Sequence, residues 1–346
     1  MCPPILGALI RVAVSGIPRG YQFPRPDGNW LQDKHRKLIL AVSPKIELVE
    51  LPETVVHDMK SVEGIEVALT EGGNTTHYAG ELDRADYEKF FTPSLKWMQL
   101  CSTGFSDNIT PEIIDGRVTL TNSPGIHTVP IAESAVAAML EHAKRFSQRR
   151  VDQKARLWRQ VYCNDLEGST VLIIGLGNLG KRIAHLCKAF DMRVIGTKRR
   201  PGPVKNVDEV FPTTELKRHL PEADFVVVVA PHTPETEGLL GEEEFATMKE
   251  TSYLINVGRG AVVDEDAMIQ TLEGKSIAGA YLDCFNVEPL PGSSPLWGLP
   301  NVFVVPHDSH SSPKIGDRLV AQFCENLRRY TTGEPLQNIC DPCKGY

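Results

Sequence analysis

The sequence predicts an α/β protein of two doubly wound parallel-sheet domains with a cleft between them. Three observations predict it. At 346 residues the chain exceeds what one hydrophobic core accommodates. Short β-branched runs alternate with helical patterns twice over. Between the two series lies a long stretch of helical period.

In the first series the candidate strands are Arg11–Val14, Ile46–Leu51, Ile65–Leu69, Trp97–Leu100 and Val118–Leu120. The apolar start of the chain, Met1 to Ile17, lacks a basic leader and a small-residue cleavage site, so it reads as the first strand. From Val129 to Arg150 the only proline is Pro130, where a first helical turn tolerates it. Ile131, Ala135, Val136, Met139, Leu140, Ala143 and Phe146 follow the helical period, which predicts one long amphipathic helix dividing the domains. The second series has strands at Thr170–Ile174, Arg193–Gly196, Phe225–Val229, Tyr253–Val257, Ile277–Leu282 and Val302–Val305, and a six-stranded sheet is expected. Leu319, Phe323 and Leu327, four residues apart, predict a closing helix over Pro313–Tyr330.

Composition narrows the function classes. An apolar fraction of 41% with 23% charged residues is that of a soluble globular chain. The formal charge of −7 argues against a nucleic-acid partner, which needs a basic field to displace counterions. No run reaches the roughly 18 apolar residues of a spanning helix, so no membrane partner is expected. The eight cysteines are scattered, and Cys101, Cys187, Cys284 and Cys324 sit in apolar runs as small buried hydrophobes would, which fits a reducing, cytoplasmic location. Cys340 and Cys343 form one C-x-x-C without a second ligand pair, and His307 and His310 have no third ligand pattern, so no metal is expected.

Thr170–Ile174 runs into Gly175-Leu176-Gly177-Asn178-Leu179-Gly180, followed by a helix with Leu179, Ile183, Leu186, Cys187 and Phe190 on one face. Strand before and helix after are the context in which this glycine spacing binds a dinucleotide in a Rossmann-like domain. The first glycine permits the turn, the second lets backbone approach a pyrophosphate, and the third allows close helix–strand packing. At the end of the next strand, where a carboxylate would hold the ribose hydroxyls of NAD, the chain reads Thr197-Lys198-Arg199-Arg200. Cationic side chains attract a 2′-phosphate through charge-assisted bonds of about 1.5–3 kcal/mol each. NADP(H) is therefore the preferred cofactor, with NAD(H) as the alternative; a solvated basic turn is the non-functional reading.

Three polar residues follow the C-terminal ends of later strands, where ligands bind in open α/β sheets. They are Arg259 in Asn256-Val257-Gly258-Arg259-Gly260, Glu288 in Asp283-Cys284-Phe285-Asn286-Val287-Glu288-Pro289, and His307 in Pro306-His307-Asp308-Ser309-His310. Singly each has a structural explanation, as a surface arginine, a loop carboxylate or a packed histidine. Together they supply a proton donor, a group that orients it and a cation for a substrate carboxylate, which is what reduction of a 2-keto acid requires.

With these segments the sequence resembles the D-isomer-specific 2-hydroxyacid dehydrogenase family, in its NADP-preferring glyoxylate/hydroxypyruvate reductase-like branch. The matching stretches are the glycine motif, the turn Pro231-His232-Thr233-Pro234-Glu235-Thr236, Asn256–Ala267, Leu282–Pro291 and Asn301–His307; the first domain matches weakly, mainly through Ser102-Thr103-Gly104-Phe105-Ser106-Asp107. The resemblance implies His307 as acid/base, Glu288 as the carboxylate holding it as imidazolium, and Arg259 on the substrate carboxylate. Backbone N–H groups near Thr103 and Gly104 would be further substrate donors. Asp283 would fix the nicotinamide amide, and Pro231, Thr236, Val257 and Arg259 would line the cofactor. It further implies a discontinuous, flavodoxin-like substrate domain of residues 1–126 plus 311–346, a dinucleotide domain of 127–310, and a homodimer in which Trp158 could reach the partner. Formate dehydrogenases of the same superfamily pair the histidine with glutamine, so Glu288 favours a keto acid substrate. The Pro18–Trp30 stretch looks long for the family's first loop. A second class remains open: a dinucleotide-sensing interaction protein, like the transcriptional corepressors that resemble these dehydrogenases, without significant turnover.

Overall fold

The computed structural model describes residues 9–15, 31–51, 62–70, 87–105 and 108–342. It divides into two compact units, Met1–Ile126 with Ser311–Tyr346, and His127–His310. Pro18–Trp30, Ser106, Asp107 and Cys343 lie outside the described residues.

The first unit holds a sheet of β1 (Ile10–Ser15), β2 (Ile46–Leu51), β3 (Val67–Thr70), β4 (Trp97–Leu100) and β5 (Thr119–Thr121). Their order is β2-β1-β3-β4-β5, and every pairing is parallel. Side chains alternate across the sheet. Val12, Val14, Val67, Leu69 and Trp97 bury one face, where Leu319, Phe323 and Leu327 of the closing helix Ile315–Thr332 cover them. Ala13, Ala68, Met98 and Leu100 bury the other with Tyr87 and Phe90. The returning helix also grips the segment where the chain leaves this unit. Arg318 Nη1 donates to the Ile126 carbonyl at 3.3 Å and Gln322 Nε2 to the Pro124 carbonyl at 3.2 Å.

Neutral polar side chains are buried between sheet and helix. Asn326 Nδ2 donates to Gln99 Oε1 and to the Gln337 carbonyl, both at 3.1 Å, while its Oδ1 accepts the Gln337 N–H at 2.9 Å. Gln99 Nε2 donates to Ser123 Oγ at 3.1 Å, and Trp97 Nε1 to Thr121 Oγ1 at 2.9 Å. Each buried amide or indole nitrogen named here has a partner, so the network costs no unsatisfied group.

The second unit holds β6 (Thr170–Ile174), β7 (Arg193–Thr197), β8 (Glu209–Phe211), β9 (Phe225–Val228), β10 (Tyr253–Asn256), β11 (Gly279–Leu282) and β12 (Val302–Val304). The all-parallel order is β12-β11-β10-β9-β6-β7-β8. Seven strands replace the six expected, because Glu209–Phe211 adds to the open edge of β7. Leu172, Ile174, Val226, Val228, Leu254 and Leu282 pack on one face and Val171, Ile173, Phe225, Val227 and Ile255 on the other, so both faces are covered.

Three further expectations need correction. The long helix is Thr128–Lys144, and a second, Phe146–Lys154, follows it; Arg145 sits between them in the left-handed region at φ 54°. Phe146, whose period continued the apolar stripe, is thereby turned out and exposed. The helix after the glycine motif ends at Lys188, so Phe190 lies beyond it and is 37% exposed. Likewise Cys101, Cys187 and Cys284 are buried, but Cys324 is half-buried.

Candidate active site at the strand ends of the second unit

The chain runs outward from β6 to β8 on one side and from β9 to β12 on the other, so the topological switch lies between β6 and β9. Crevices at such points are where doubly wound sheets bind ligands. Gly175 leaves β6 there with φ 110°, and a Cβ on it would stand 2.8 Å from the Ala230 nitrogen after β9. Gly180 packs its Cα against the Gly175 carbonyl so closely that a Cβ would overlap that oxygen. Gly177 differs: a Cβ there would meet nothing within 4 Å, and Gly177 and Asn178 are exposed. The turn is closed on its protein side and open at the N-terminus of the Asn178–Lys188 helix, whose first amides lack intrahelical acceptors. That is the shape and polarity a pyrophosphate fits. Leu179 is half-buried beside it.

Thr197, at the end of β7, is buried and its Oγ1 accepts the Gly175 N–H at 3.2 Å, so it fixes the glycine turn from within. Lys198 is half-buried, and Arg199 and Arg200 are exposed beyond it. The Glu235 carboxyl lies below its usual range, first through a hydrogen bond from Thr233 and, further, through the positive field of Arg199. The basic run and the Pro231–Thr236 turn are therefore neighbours. Thr236 Oγ1 donates to the Pro231 carbonyl at 2.7 Å and accepts the Thr233 N–H at 2.8 Å, so its hydroxyl is engaged in shaping that turn.

Arg259, Asp283 and His307 follow β10, β11 and β12, three adjacent strands. Asn256 organises the first turn: its Oδ1 accepts the Gly258 N–H at 3.2 Å and its Nδ2 donates to the Arg259 carbonyl at 3.3 Å. Arg259 is exposed and its Nη1 donates to the Gly258 carbonyl at 2.7 Å. Val257, expected near the cofactor, has its side chain buried in the core. Gly260 lies against the Phe285 carbonyl with no space for a Cβ, which brings the Arg259 turn onto the loop bearing Glu288.

Glu288 is held at both oxygens. Oε1 accepts the Phe285 N–H at 2.8 Å and Oε2 lies 2.7 Å from His307 Nδ1. The side chains of His307 and Glu288 are 36% and 17% exposed, so the carboxylate is shielded while the ring remains reachable. With Nδ1–H given to Glu288, Nε2 is the ring nitrogen left for a ligand. Hydrogen bonding to Glu288 raises the His307 pKa, burial lowers it, the charges of Glu288 and Asp283 raise it further and Arg259 lowers it. Asp283 is buried and pushed up to about 6 by desolvation, against the Ser309 N–H and the His307 charge, which lower it. Burial, followed by His307, pushes His310 down. Five ionisable groups from three strand ends thus act on one another, and His307, Asp283 and His310 titrate away from their ordinary values, as groups at reactive sites do.

The structure brings His307, Glu288, Asp283 and Arg259 together. Thr103 and Gly104 belong to the first unit, just beyond β4, where Asn122 Nδ2 donates to the Thr103 carbonyl and Ser102 Oγ to the Gly104 carbonyl. Glu265 was not singled out in the sequence. Its Oε2 accepts the Asn286 N–H at 2.9 Å and so ties the Glu288 loop to the Glu265–Glu273 helix. Ser309 was also missed; neither has a spacing signal, since each acts on a distant stretch. Among the described residues no group of three or more His, Cys, Asp or Glu is placed to hold a metal, and no helix is long and apolar enough to cross a membrane.

Comparison with known proteins gives this geometry a context. Residues 136–309 match the family model described as D-isomer specific 2-hydroxyacid dehydrogenase, NAD binding domain. Glyoxylate/hydroxypyruvate reductase B of Yersinia enterocolitica is 32% identical over 282 residues, covering 80% of this chain and 86% of the relative. Among solved structures, a D-isomer specific 2-hydroxyacid dehydrogenase family protein of Aeromonas salmonicida superposes with a TM-score of 0.79 at 27% identity, over 96% of this chain and 99% of that one. A D-isomer specific 2-hydroxyacid dehydrogenase of Xanthobacter autotrophicus, solved with NADPH and MES, gives 0.74 at 28% identity, over 98% and 100%. The chain belongs to the D-isomer specific 2-hydroxyacid dehydrogenase family of nicotinamide-dependent oxidoreductases.

Proposed function

We propose that the protein reduces a small 2-keto acid to the D-2-hydroxy acid with NADPH, NADH being the weaker cofactor, and with His307 as the proton donor. The observation that carries this reading is the 2.7 Å pairing of His307 Nδ1 with a shielded Glu288, which raises the imidazole pKa and leaves Nε2 for substrate. In this reading residues 127–310 bind the dinucleotide and residues 1–126 with 311–346 the substrate.

When bound, the dinucleotide supplies a hydride to the keto carbon. The carbonyl π electrons move onto oxygen, and His307 Nε2–H gives that oxygen its proton. His307 is left neutral and takes a new proton from water. Glu288 stabilises the imidazolium before transfer and fixes the ring tautomer. Arg259 grips the substrate carboxylate and polarises the keto oxygen, with backbone N–H groups near Thr103 and Gly104 as further donors. Asp283 orients the nicotinamide amide. The open Gly177–Asn178 end of the glycine turn would hold the pyrophosphate, and Lys198, Arg199 and Arg200 would hold the 2′-phosphate. The NADPH complex of the Xanthobacter structure and the name of the Yersinia relative support the cofactor and substrate class.

We further infer a homodimer, because Val151, Leu157, Trp158 and Tyr162 form an exposed apolar stretch that solvent alone does not favour. A cytoplasmic location is supported by six described cysteines, all free thiols. The test is a panel of glyoxylate, hydroxypyruvate and bulkier keto acids with NADPH and with NADH. Turnover of one of them, faster with NADPH, is expected; tight dinucleotide binding with no turnover of any would overturn the reading in favour of a dinucleotide sensor.

A further inference from the structure

Tyr281, on β11 and two residues before Asp283, packs against the core cluster that includes Ala132, Ala135 and Met139 of the Thr128–Lys144 helix. Its Oη lies 2.9 Å from Ser309 Oγ. Ser309 is held at two more atoms: its N–H donates to Asp283 Oδ1 at 3.1 Å, and its carbonyl accepts from Ser134 Oγ at 3.4 Å. It is 6% exposed, so these bonds have little competition from water. Two residues earlier in the same turn is His307, whose backbone sits in the left-handed region at φ 51°. A non-glycine residue persists there only where its surroundings over-determine it. The His307 N–H, donated to the Val305 carbonyl at 3.0 Å, supplies one restraint, and the buried Ser309 supplies the others.

We propose that Tyr281 and Ser309 form a positioning pair that clamps the turn bearing His307 onto the end of β11, so that the imidazole meets Glu288 and the substrate in register. This rests on the reading of His307 as the proton donor. Neither hydroxyl touches substrate; each acts through the turn. The groups that set the imidazole's charge are Glu288 and Asp283 beyond β11 and Arg259 beyond β10, with His310 of its own turn coupled to it; Asp308 of that turn acts on Asp283 and His310. Loosening the turn lengthens the bond to Glu288, the largest of the raising influences.

The test compares the full-length protein with Tyr281→Phe, Ser309→Ala and the double variant. Both single changes keep the backbone N–H that Asp283 accepts. Two measurements are made: the His307 imidazole pKa by NMR titration without dinucleotide, and kcat and KM for the best keto acid with NADPH across pH. Each single variant is expected to lower kcat about tenfold with KM and dinucleotide affinity within about twofold, since a small displacement of a proton donor acts on the chemical step. The imidazole pKa falls towards the ordinary histidine value. Ser309→Ala also removes the hydroxyl's bond to Asp283, so Tyr281→Phe isolates the Tyr281–Ser309 bond, and the double variant is no worse than Ser309→Ala, in which that bond is already lost. An unmoved imidazole pKa in both singles, or losses that multiply in the double, overturns the clamp. If the unaltered protein turns over no keto acid, the functional reading fails while the NMR titration still decides the clamp. If it is active and the pKa stays put, the clamp alone falls.

Discussion

The two units solve the same architectural problem and bury different polar groups in doing so. In the first, the polar cluster buried between β4, β5 and the closing helix consists of amides, hydroxyls and an indole: Gln99, Asn326, Thr121, Ser123 and Trp97 pair with one another, while the buried His35 lies apart, 2.7 Å from Asp317. In the second, buried polarity at the strand ends is ionisable. Asp283 rises to about 6, His307 is raised by Glu288, and a guanidinium stands within their field. Neutral pairs fix a packing arrangement and are indifferent to pH. Ionisable pairs in a shielded place store a difference between protonation states, and that difference is what proton transfer uses. The cluster around Gln99 is architectural; the one around His307 is chemical.

That contrast can be broken most severely at His307. His307→Ala is expected to lower turnover on the order of a thousandfold with dinucleotide affinity kept, as for loss of a general acid; steady-state kinetics beside a fluorescence titration of NADPH checks it. Gly180→Ala forces a methyl onto the Gly175 carbonyl and should cost about 3 kcal/mol of stability, with weakened dinucleotide binding, read by denaturant unfolding with and without NADPH. In the first unit Asn326→Ala should cost about 2 kcal/mol by stranding its partners, yet leave kcat per folded molecule unchanged.

The smallest effect sharpens the comparison by sign. Glu288→Gln keeps a hydrogen-bond acceptor but removes the charge, so the His307 pKa falls. Reduction needs the protonated ring, which is present below the folded pKa and lost as pH rises through it. The alkaline limb of kcat/KM should therefore move to lower pH, with about a tenfold loss for each unit of pKa moved at pH above both pKa values. An unshifted limb would remove Glu288 from that role.

Much of this was readable in the chain because it depends on local pattern. Runs such as Thr170–Ile174 and Phe225–Val228 are continuous and β-branched, as strands covered on both faces must be. The glycine turn stands out because it follows such a run directly, and Arg259 and His307 lie three residues past theirs, Glu288 six. Glu209–Phe211 escaped notice: three residues with a single fully buried position, on the sheet edge, carry almost no periodic signal. The break at Arg145 has no glycine or proline to mark it, and the apolar period continues straight through. The Tyr281–Ser309 bond joins residues 28 apart, and no spacing rule anticipates which hydroxyls a fold will bring together.

The grip of the closing helix on Pro124 and Ile126 has a consequence for how the polypeptide reaches its native state. Five of the sixteen described buried residues of one core of the first unit, Leu319, Phe323 and Leu327 among them, are encoded after the whole of the second. On the ribosome, the unit that begins first must wait with Val12, Val67 and Trp97 uncovered until the last stretch has been synthesised, while His127–His310 is contiguous and free to fold on emergence. The order of completion is the reverse of the order of translation, so the early apolar strands are where chaperones would bind.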